Sequence, residues 1–362
     1  MPGAARGLGE LNALLLNVDG PLSRMRRVMR KCVVLCLFTV FLRVAVGADL
    51  NPANVRAAAD YSAARSGLSF LVIQHGKTLL EEYPGGGSPR GGRKIYSGTK
   101  AFWNLAALAA AEEGILSLDE RVAATIPAWR DDARKSRVTI RQLLDFSCGL
   151  DPGFFLHGDD PGNRDSIALS LPHVAEPGSA FIYGPSALQV FHEVLKAKLK
   201  GESPTHYLER RVLRRLGLGS QRYLNDRAGN PLLASGWFLS ARQWSKLGEV
   251  ALHGGSPVVA SMSPCWRGSP ANRAFSLGWW NNRAAPGGRE FDFENMLVPK
   301  WPQQNWSGAC LCSDAPSDLV ACVGSLNQRL YVIPSLDLVV VRHGGGGQFS
   351  DGRFLRLLLG KG

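Results

Sequence analysis

The stretch that decides the fold is IYSGTKAFWNLAALAAAEEG, residues 95–114. Residues 101–111 carry a single polar side chain, and a helix that is apolar on nearly every side lies inside a protein rather than on its surface. Ser97 stands where this helix begins, and Gly114 is a favourable residue for its end. Lys100 is the only charged residue before the last helical turn. The sequence therefore predicts a buried helix whose first turn holds a serine and a lysine.

Ser97 and Lys100 are three residues apart and share one face of the first helical turn. Burial and the partial positive charge of a helix N-terminus both disfavour an ammonium group, so we expect a lowered lysine pKa. A neutral Lys100 could take the proton of Ser97, which would then attack a carbonyl carbon. The alternative is an N-cap serine beside a solvated lysine. The catalytic interpretation is favoured because Ser-x-x-Lys occurs once in the chain, and a buried lysine without a use is costly.

The segments around this helix predict strands near both ends of the chain and helices between them. LSFLVIQHGKTLLEEY, residues 68–83, has two apolar runs on either side of a His-Gly-Lys turn, which is typical of a hairpin. Further strands are predicted at 318–324, 328–334 and 336–342. Helices are predicted at 51–66, 187–199, 203–217, 240–252 and 352–359. We therefore expect an α/β fold of the α+β type, in which both ends of the chain build one antiparallel sheet, with flanking helices and a helical region inserted at about 101–217.

The beginning of the chain has the pattern of a secretory signal. MRRVMRKCVVLCLFTVFLRVAVGA, residues 25–48, contains a basic segment, an apolar run of 11 residues and small residues before Asp49. A membrane span needs about 20 apolar residues, so a membrane anchor is the less favoured alternative. We therefore predict that residues 1–48 are upstream residues and a signal peptide ending near Ala48. The functional domain would be residues 49–362, exported to the periplasm or the medium.

The charge of the chain gives little support to a nucleic-acid partner. The sequence has 42 Lys and Arg and 30 Asp and Glu, a net charge of +12. Seven of the basic and two of the acidic residues lie in the first 48, which leaves +7 for the predicted domain. No basic stripe with interleaved aromatic residues is present, so no nucleic acid is expected. The positive charge favours at most a weak association with an anionic cell envelope.

Five of the seven cysteines follow the predicted signal: Cys148, Cys265, Cys310, Cys312 and Cys322. An exported protein can form disulfides, and an odd number leaves at least one cysteine without a partner in the chain. The sequence leaves open which of them pair. The cysteines at 310 and 312 have no second pair at zinc spacing, and HEVLK at 192–196 lacks the second histidine of a zinc-binding helix. Neither a metal nor a cofactor is expected.

These segments, in this order, resemble the β-lactamase-related serine hydrolases, which include class C β-lactamases, D-alanyl-D-alanine carboxypeptidases and esterases. The resemblance covers nearly all of residues 50–360. SGTKAF is similar to the nucleophile motif, VTIRQLLDFSCGL to an LLTHTSGL segment, and PGSAFIYGPSALQVF to the segment that holds a Tyr-x-Asn motif. The opening hairpin, FSLGWW and RLYVIPSLDLVVV also stand at family positions. The resemblance implies a β-lactamase/transpeptidase-like fold, with Ser97 as nucleophile, Lys100 as base and Tyr183 as a hydroxyl that shares the proton.

Two of the three family motifs are altered. Pro185 stands where Tyr-x-Asn has its asparagine. The third motif, Lys-Thr-Gly or His-x-Gly, falls on residues 322–324, where only Gly324 remains. The lost lysine or histidine would have held a substrate carboxylate, so the substrate is expected to be neutral. Cys322 is assigned to the substrate-binding wall, with a packed strand thiol as the alternative.

The resemblance also implies an oxyanion hole made by the backbone N–H groups of Ser97 and Ser325. Such donors do not depend on side chains and can survive the substitutions beside Gly324. The sequence therefore predicts an exported serine hydrolase that forms an acyl-enzyme on Ser97 from a small-molecule ester or amide. Two alternatives stay open. One is a weak or inactive relative that binds a cell-envelope ligand, and the other is a true β-lactamase or D-Ala-D-Ala carboxypeptidase.

Overall fold

The computed structural model describes residues 48–159 and 161–362. The predicted signal peptide lies outside the described residues, apart from Ala48. The strands, in chain order, are β1 (Gly67–Gln74), β2 (Lys77–Glu82), β3 (Arg93–Lys94), β4 (Phe238–Leu239), β5 (Phe275–Ser276), β6 (Trp279–Asn281), β7 (Arg289–Glu290), β8 (Ala309–Cys310), β9 (Val320–Gly324), β10 (Gln328–Ile333) and β11 (Leu338–Gly344).

The helices are α1 (Pro52–Ala63), α2 (Lys100–Glu112), α3 (Val122–Thr125), α4 (Ile140–Leu144), α5 (Arg164–Ser170), α6 (Ser186–Lys198), α7 (Pro204–Leu208), α8 (Ala241–Leu252), α9 (Ser263–Trp266), α10 (Phe293–Met296) and α11 (Asp351–Leu359). A π-helical turn, Glu209–Leu213, continues α7. Within the described residues, no helix combines the length and the apolar character that a membrane crossing requires.

Seven strands form one antiparallel sheet in the order β2-β1-β11-β10-β9-β6-β5. The predicted hairpin near the beginning of the chain pairs directly with the last strand, so that Val72 on β1 lies opposite Val340 on β11. The other predicted hairpin forms β9 and β10, in which Leu330 lies opposite Cys322. The expectation that both ends of the chain build one antiparallel sheet is therefore confirmed.

Helices cover both faces of this sheet. Successive residues of a strand point to opposite faces, and β10 shows this clearly. Leu330 lies under α8, where Gly248 comes so close that an added Cβ would be 3.0 Å from the leucine side chain. The next residue, Tyr331, stacks on Phe354 of α11 with ring centroids 5.6 Å apart. The sheet is thus the middle layer between α8 on one side and the terminal helices on the other.

The helix of the quoted stretch is buried as its composition predicts, since residues 100–110 are all buried. Its start differs from the prediction. A 3-10 turn, Tyr96–Thr99, precedes the regular helix, which begins at Lys100. Ser97 is not the N-cap residue, because Thr99 occupies that position, and the Thr99 side chain makes no capping hydrogen bond. The tighter turn leaves the Ser97 hydroxyl to side-chain partners.

The five cysteines of the described residues are all buried and free. The sequence had left their pairing open, and the structure contains no disulfide among them. Burial raises the pKa of these thiols, for example that of Cys148 to about 11. They therefore behave as small apolar side chains that fill the core rather than as cross-links.

Candidate active site

Ser97 lies in the 3-10 turn that joins β3 to α2. The chain between β3 and this turn is held by the residue before β4, because the Ile95 N–H donates to the carbonyl of Trp237 at 2.9 Å. Tyr96 has a φ of 46°, an uncommon backbone conformation for a side chain of this size. Such strained residues cluster at functional sites. Gly98 is needed on the other side of Ser97, because an added Cβ would be 2.5 Å from the Trp244 ring.

Lys100 reaches back over this turn and contacts Ser97. The distance from Nζ to Oγ is 2.9 Å, and Nζ also donates to the backbone carbonyl of Ala234 at 2.7 Å. The lysine is 2% exposed. Burial lowers its pKa to about 7, far below its usual value near 10.5. At neutral pH a substantial share of Lys100 is therefore an uncharged amine that can accept a proton.

The surroundings of Lys100 explain why this pKa is low. In the part of the chain that the structure describes, no carboxylate lies within ion-pair distance of its amine. Aromatic rings take that place. Nζ lies 4.5 Å from the ring centroid of Tyr183 and 6.0 Å from that of Phe146. A ring face attracts a cation only weakly compared with a carboxylate, so desolvation decides the outcome.

Tyr183 comes together with Ser97 and Lys100, as the resemblance implies. It is 8% exposed, and its hydroxyl lies near enough to Ser97 for the serine to influence the pKa of the phenol. Burial raises the pKa of the phenol above its usual value near 10. The hydroxyl is therefore protonated at neutral pH. The arrangement differs in one detail from the expectation, because the ring of Tyr183, and not its hydroxyl, faces Lys100.

Gly324 lies at the end of β9, next to the Ser97 turn. An added Cβ at this position would be 2.1 Å from the carbonyl oxygen of Ile95, so no other residue fits without moving the two segments apart. Ser325 follows in the turn to β10 and is half-buried. This close approach brings the end of β9 against the residues just before Ser97.

The altered motif positions are both buried. Cys322 has no exposed surface, and burial raises its thiol pKa well above the usual value near 9. Its side chain therefore offers no surface to a substrate. Pro185 lies directly before α6 and its carbonyl accepts the N–H of Gln189 at 3.2 Å. Pro185 is packed at the start of α6, and a proline has no side-chain amide to offer to a substrate.

The structure shows two groups near Lys100 that the sequence analysis missed, a backbone carbonyl and a histidine. The carbonyl of Ala234 orients the Lys100 amine, and the preceding residue is fixed because the Leu233 N–H donates to the Gln189 side chain at 3.0 Å. His157 lies near Lys100, and the surrounding protein and that amine lower its pKa to about 4. No short-range signal in a sequence reveals a carbonyl 134 residues away. His157 ends a 3-10 turn, Phe154–His157, whose sequence has no recognisable motif.

Two groups of described residues outside this site carry donor atoms that are close enough to hold a metal. They are Asp165, His192 and Glu193, and Glu290, Cys312 and Asp314. In the first group, the carboxylate of Asp165 already accepts from Gln189 and pairs with the imidazole of His192. In the second group, the guanidinium of Arg356 pairs with both carboxylates. The carboxylates named in both groups already have protein partners, so we assign no metal to either group.

Comparison with known proteins assigns the family. The model of the β-lactamase family matches residues 53–288, more than half of the chain. The chain therefore belongs to the β-lactamase family. Among curated proteins, it is similar to protein flp of Staphylococcus aureus strain NCTC 8325 / PS 47, with 28% identity over 134 residues. That match covers 32% of this chain and 27% of protein flp. The chain thus spans about a quarter of the length of this relative.

Solved structures show the same fold at low sequence identity. The octameric penicillin-binding protein homologue from Pyrococcus abyssi has a TM-score of 0.59 at 20% identity, over 85% of this chain and 76% of that one. A family VIII carboxylesterase has a TM-score of 0.60 at 16% identity, over 86% and 97%. The D-stereospecific amidohydrolase from Streptomyces sp. has a TM-score of 0.58 at 15% identity, over 84% and 97%. The fold is therefore β-lactamase/transpeptidase-like, as the sequence predicts.

Proposed function

We propose that the protein is a serine hydrolase that cleaves an ester or amide bond through an acyl-enzyme on Ser97. The observation that carries this proposal is the 2.9 Å contact between the Ser97 hydroxyl and a buried amine with a pKa of about 7. A neutral amine at this distance is placed to act as a general base. Membership of the β-lactamase family and the hydrolases among proteins of the same fold add support.

In the proposed reaction, Lys100 accepts the hydroxyl proton while Ser97 Oγ bonds to the carbonyl carbon of the substrate. The negative charge that forms on the carbonyl oxygen is held by the backbone N–H groups of Ser97 and Ser325. The protonated Lys100 then returns its proton to the leaving alcohol or amine, either directly or through the Tyr183 hydroxyl. A water molecule attacks the acyl-enzyme in the same way, with Lys100 again as the base.

The choice between Lys100 and Tyr183 as the base follows from their pKa values. The phenol of Tyr183 has a raised pKa and holds its proton at neutral pH, so a phenolate is not available. Lys100 is deprotonated to a large extent at the same pH. Tyr183 therefore keeps its proton and, lying beside Ser97 and Lys100, serves as a relay. The carbonyl of Ala234 fixes one N–H of the amine, which directs the remaining positions towards Ser97.

Covalent labelling tests this proposal directly. The protein is incubated with a fluorophosphonate probe, and the modified residue is identified by peptide mass mapping. We expect one adduct, on Ser97, and hydrolysis of p-nitrophenyl acetate that disappears in Ser97→Ala. Thr99→Ser is the control, since it changes a neighbouring hydroxyl residue and should retain labelling of Ser97. A protein that is folded but takes up no probe would overturn the hydrolase proposal.

A second function is favoured by the altered motifs. Pro185 and Cys322 remove two side chains that the family motifs supply, so a weak or inactive relative that binds an envelope ligand is the alternative. Binding of muropeptides without labelling of Ser97 would support it. Turnover of nitrocefin or of a D-Ala-D-Ala peptide would instead support a true β-lactamase or carboxypeptidase.

We also propose that the protein is exported. The support is the signal-like pattern of residues 25–48. Expression of the full chain followed by cell fractionation and intact-mass analysis provides the test. We expect a product that begins near Asp49 in the periplasm or the medium. A cytoplasmic product that keeps residues 25–48 would contradict this proposal and would leave the hydrolase proposal unaffected.

A further inference from the structure

A cavity of about 550 Å³ adjoins the candidate active site. Tyr183, whose ring lies 4.5 Å from the Lys100 amine, forms part of its wall. Its volume falls in the range of small-molecule sites. The apolar part of its wall includes the side chains of Pro152, Phe154, Val174, Ile182, Val298 and Trp301.

The polar residues of the wall do not change its apolar character. The Asp151 carboxylate accepts the N–H of Gly153 at 2.9 Å, within its own loop. The Gln304 side chain donates to the carbonyl of Pro299 at 3.1 Å and accepts from Trp306 at 3.3 Å. Lys300 is exposed. Most of the surface that the cavity offers to a ligand is therefore hydrocarbon.

Exposed apolar side chains are concentrated around the same cavity. In the described part of the chain, six large apolar residues are exposed, and Phe154 (55%) and Val298 (81%) both line the cavity. Phe155, next to Phe154 in the chain, is 58% exposed. Exposure of such surface to water is unfavourable by about 25 cal/mol per Å². Apolar surface that is retained at one place marks a binding site.

We propose that this cavity binds an apolar group of the substrate, so that the enzyme acts on neutral esters or amides with a medium-length alkyl or aryl group. This inference rests on the proposed hydrolase function. It is supported independently by the residues before Gly324, since Cys322 and Val323 provide no cation for a substrate carboxylate. Tyr183, whose ring lies against Lys100 and which also lines the cavity, places the apolar subsite next to the proposed base.

Two ester series test the proposal. In one, the acyl group of p-nitrophenyl esters is lengthened from two to ten carbons; in the other, the alcohol of acetate esters is lengthened likewise. We expect kcat/KM to rise in one series by up to about fourfold per methylene until the cavity is filled, the equivalent of about 0.8 kcal/mol for each buried CH2 group. The series that shows the rise identifies the side of the scissile bond that occupies the cavity.

Variants of the cavity sharpen this test. Val298→Asp and Phe154→Ser should each lower the length preference several-fold, measured as kcat/KM for a long ester divided by kcat/KM for a short ester. The matched control is Leu79→Ser, an exposed apolar residue on β2 that does not line the cavity, and it should leave the ratio unchanged. Ser97-dependent turnover with no length preference would overturn the apolar subsite alone. A preference for esters that end in a carboxylate would also overturn it and would implicate Lys300. Turnover that does not depend on Ser97 would overturn both proposals.

A separate observation concerns Arg329, a fully buried residue of β10. Its guanidinium forms a two-pronged ion pair with Asp351, with Nε–Oδ1 and Nη2–Oδ2 distances of 2.7 Å and 3.0 Å. The remaining nitrogen, Nη1, donates to the carbonyl of Gly324 at 3.1 Å. This carbonyl belongs to the same peptide group as the N–H of Ser325. In a trans peptide the C=O and the N–H point in opposite directions, so Arg329 bonds the side of this peptide that lies opposite the Ser325 N–H.

Other contacts fix the same turn. The Asn327 N–H donates to the Glu294 carboxylate at 3.0 Å, and the Asn327 carbonyl accepts from the buried Arg342 at 2.7 Å. A hydrogen bond from a charged group is stronger than a neutral one, and it polarises the peptide that accepts it. A buried ion pair contributes little net stability compared with apolar residues of similar size. Fold stability alone therefore does not explain why β10 carries a buried arginine.

We further infer that Arg329 is a positioning residue that orients the N–H of Ser325 for the oxyanion. Arg329→Lys keeps the positive charge but loses the planar guanidinium that bonds Asp351 and the Gly324 carbonyl together. We expect kcat to fall at least about tenfold in this variant, with KM little changed. This loss is a part of the 10²–10³-fold effect of one oxyanion donor. Arg356→Lys, in the ion-paired part of α11, is the matched control and should alter stability without altering kcat.

A purely structural role for Arg329 would lower the melting temperature and leave kcat of the folded protein unchanged, and this result would overturn the inference. If Arg329→Lys does not fold, Tyr331→Phe provides the test. It removes a hydroxyl that donates to Asp351 and retains both charges of the ion pair. We expect a several-fold lower kcat in this variant, and an unchanged kcat would contradict the positioning role.

Discussion

The start of α2 and the turn after β9 contribute to the candidate site by different means. At α2, the proposed chemistry depends on one side chain, because Lys100 can act as the base only while burial keeps its pKa near 7. At β9, the proposed contribution is a backbone N–H, and Gly324 is needed because the Ile95 carbonyl comes so close. Side-chain identity matters in the first region, whereas the course of the backbone matters in the second.

This difference explains which motif residues are present. In the proposed mechanism the base cannot be replaced by another side chain without loss of its pKa, and Ser97 and Lys100 both match the family motif. A backbone donor is provided by any residue whose main chain follows the same path. Cys322 and Val323 can therefore stand in the third motif as long as Gly324 permits the close approach. These substitutions are expected to change substrate recognition and to leave the proposed oxyanion hole intact.

The largest expected effect comes from removal of the base. Lys100→Met should lower kcat/KM by up to about 10⁴-fold, the upper range for general base catalysis. Stability should stay the same or rise, because an apolar side chain replaces a buried amine. The measurements are p-nitrophenyl ester turnover and thermal unfolding. Lys246→Met, which changes a surface lysine bonded to the Gly217 carbonyl, is the matched control.

If Lys100→Met retained activity close to the unmodified protein, the base would lie elsewhere. A large loss of activity together with a large loss of stability would also contradict the account, because it would indicate that Lys100 holds the fold together. The proposed role requires that the two quantities separate.

A smaller effect is expected at the backbone side of the site. Gly324→Ala should lower kcat about 10²-fold, because the added Cβ pushes β9 away from the Ser97 turn and misaligns one oxyanion donor. Lys100 should keep its pKa in this variant. Gly219→Ala is the control, since an added Cβ there meets no atom within 4 Å. An unchanged kcat in Gly324→Ala would remove the N–H of Ser325 from the mechanism.

The smallest expected effect is at Tyr183. Tyr183→Phe keeps the ring that covers Lys100 and removes the hydroxyl beside Ser97. Loss of one hydrogen bond in the transition state is worth about 1 kcal/mol, so kcat should fall about fivefold. Single-turnover acylation measures this step. A loss as large as that in Lys100→Met would mean that Tyr183 is the base and would reverse the assignment of the two residues.

The parts of the fold that follow from local pattern could be predicted from the sequence. The apolar α2, the hairpin of β1 and β2 and the hairpin of β9 and β10 each carry a short-range periodic signal. Ser97 and Lys100 share one helical turn, so their contact follows from spacing alone. The position of Tyr183 required the family resemblance, because it lies more than 80 residues further along the chain.

Features that arise only from tertiary packing could not be predicted. The carbonyl of Ala234 is a backbone atom, and no residue type announces its role. The ring of Tyr183 faces Lys100 because Phe146 packs beside it, with centroids 4.8 Å apart. The 3-10 turn at Tyr96–Thr99 replaces the predicted regular helix start. Ile95, just before this turn, bonds the distant Trp237 carbonyl through its N–H and accepts the N–H of Gly98. Each of these depends on contacts between distant segments.

The protonation of Lys100 provides the most direct test of the account. The rate of fluorophosphonate labelling of Ser97 should rise about tenfold per pH unit as the pH is raised towards 7, because the neutral amine is the active form. It should level off above that pH, since the lowered pKa leaves little ammonium there. Gly324→Ala should show the same midpoint at a lower rate. A midpoint near 7 is the predicted result, and a rate that keeps rising to pH 10, as for an ordinary solvated lysine, would contradict the central claim.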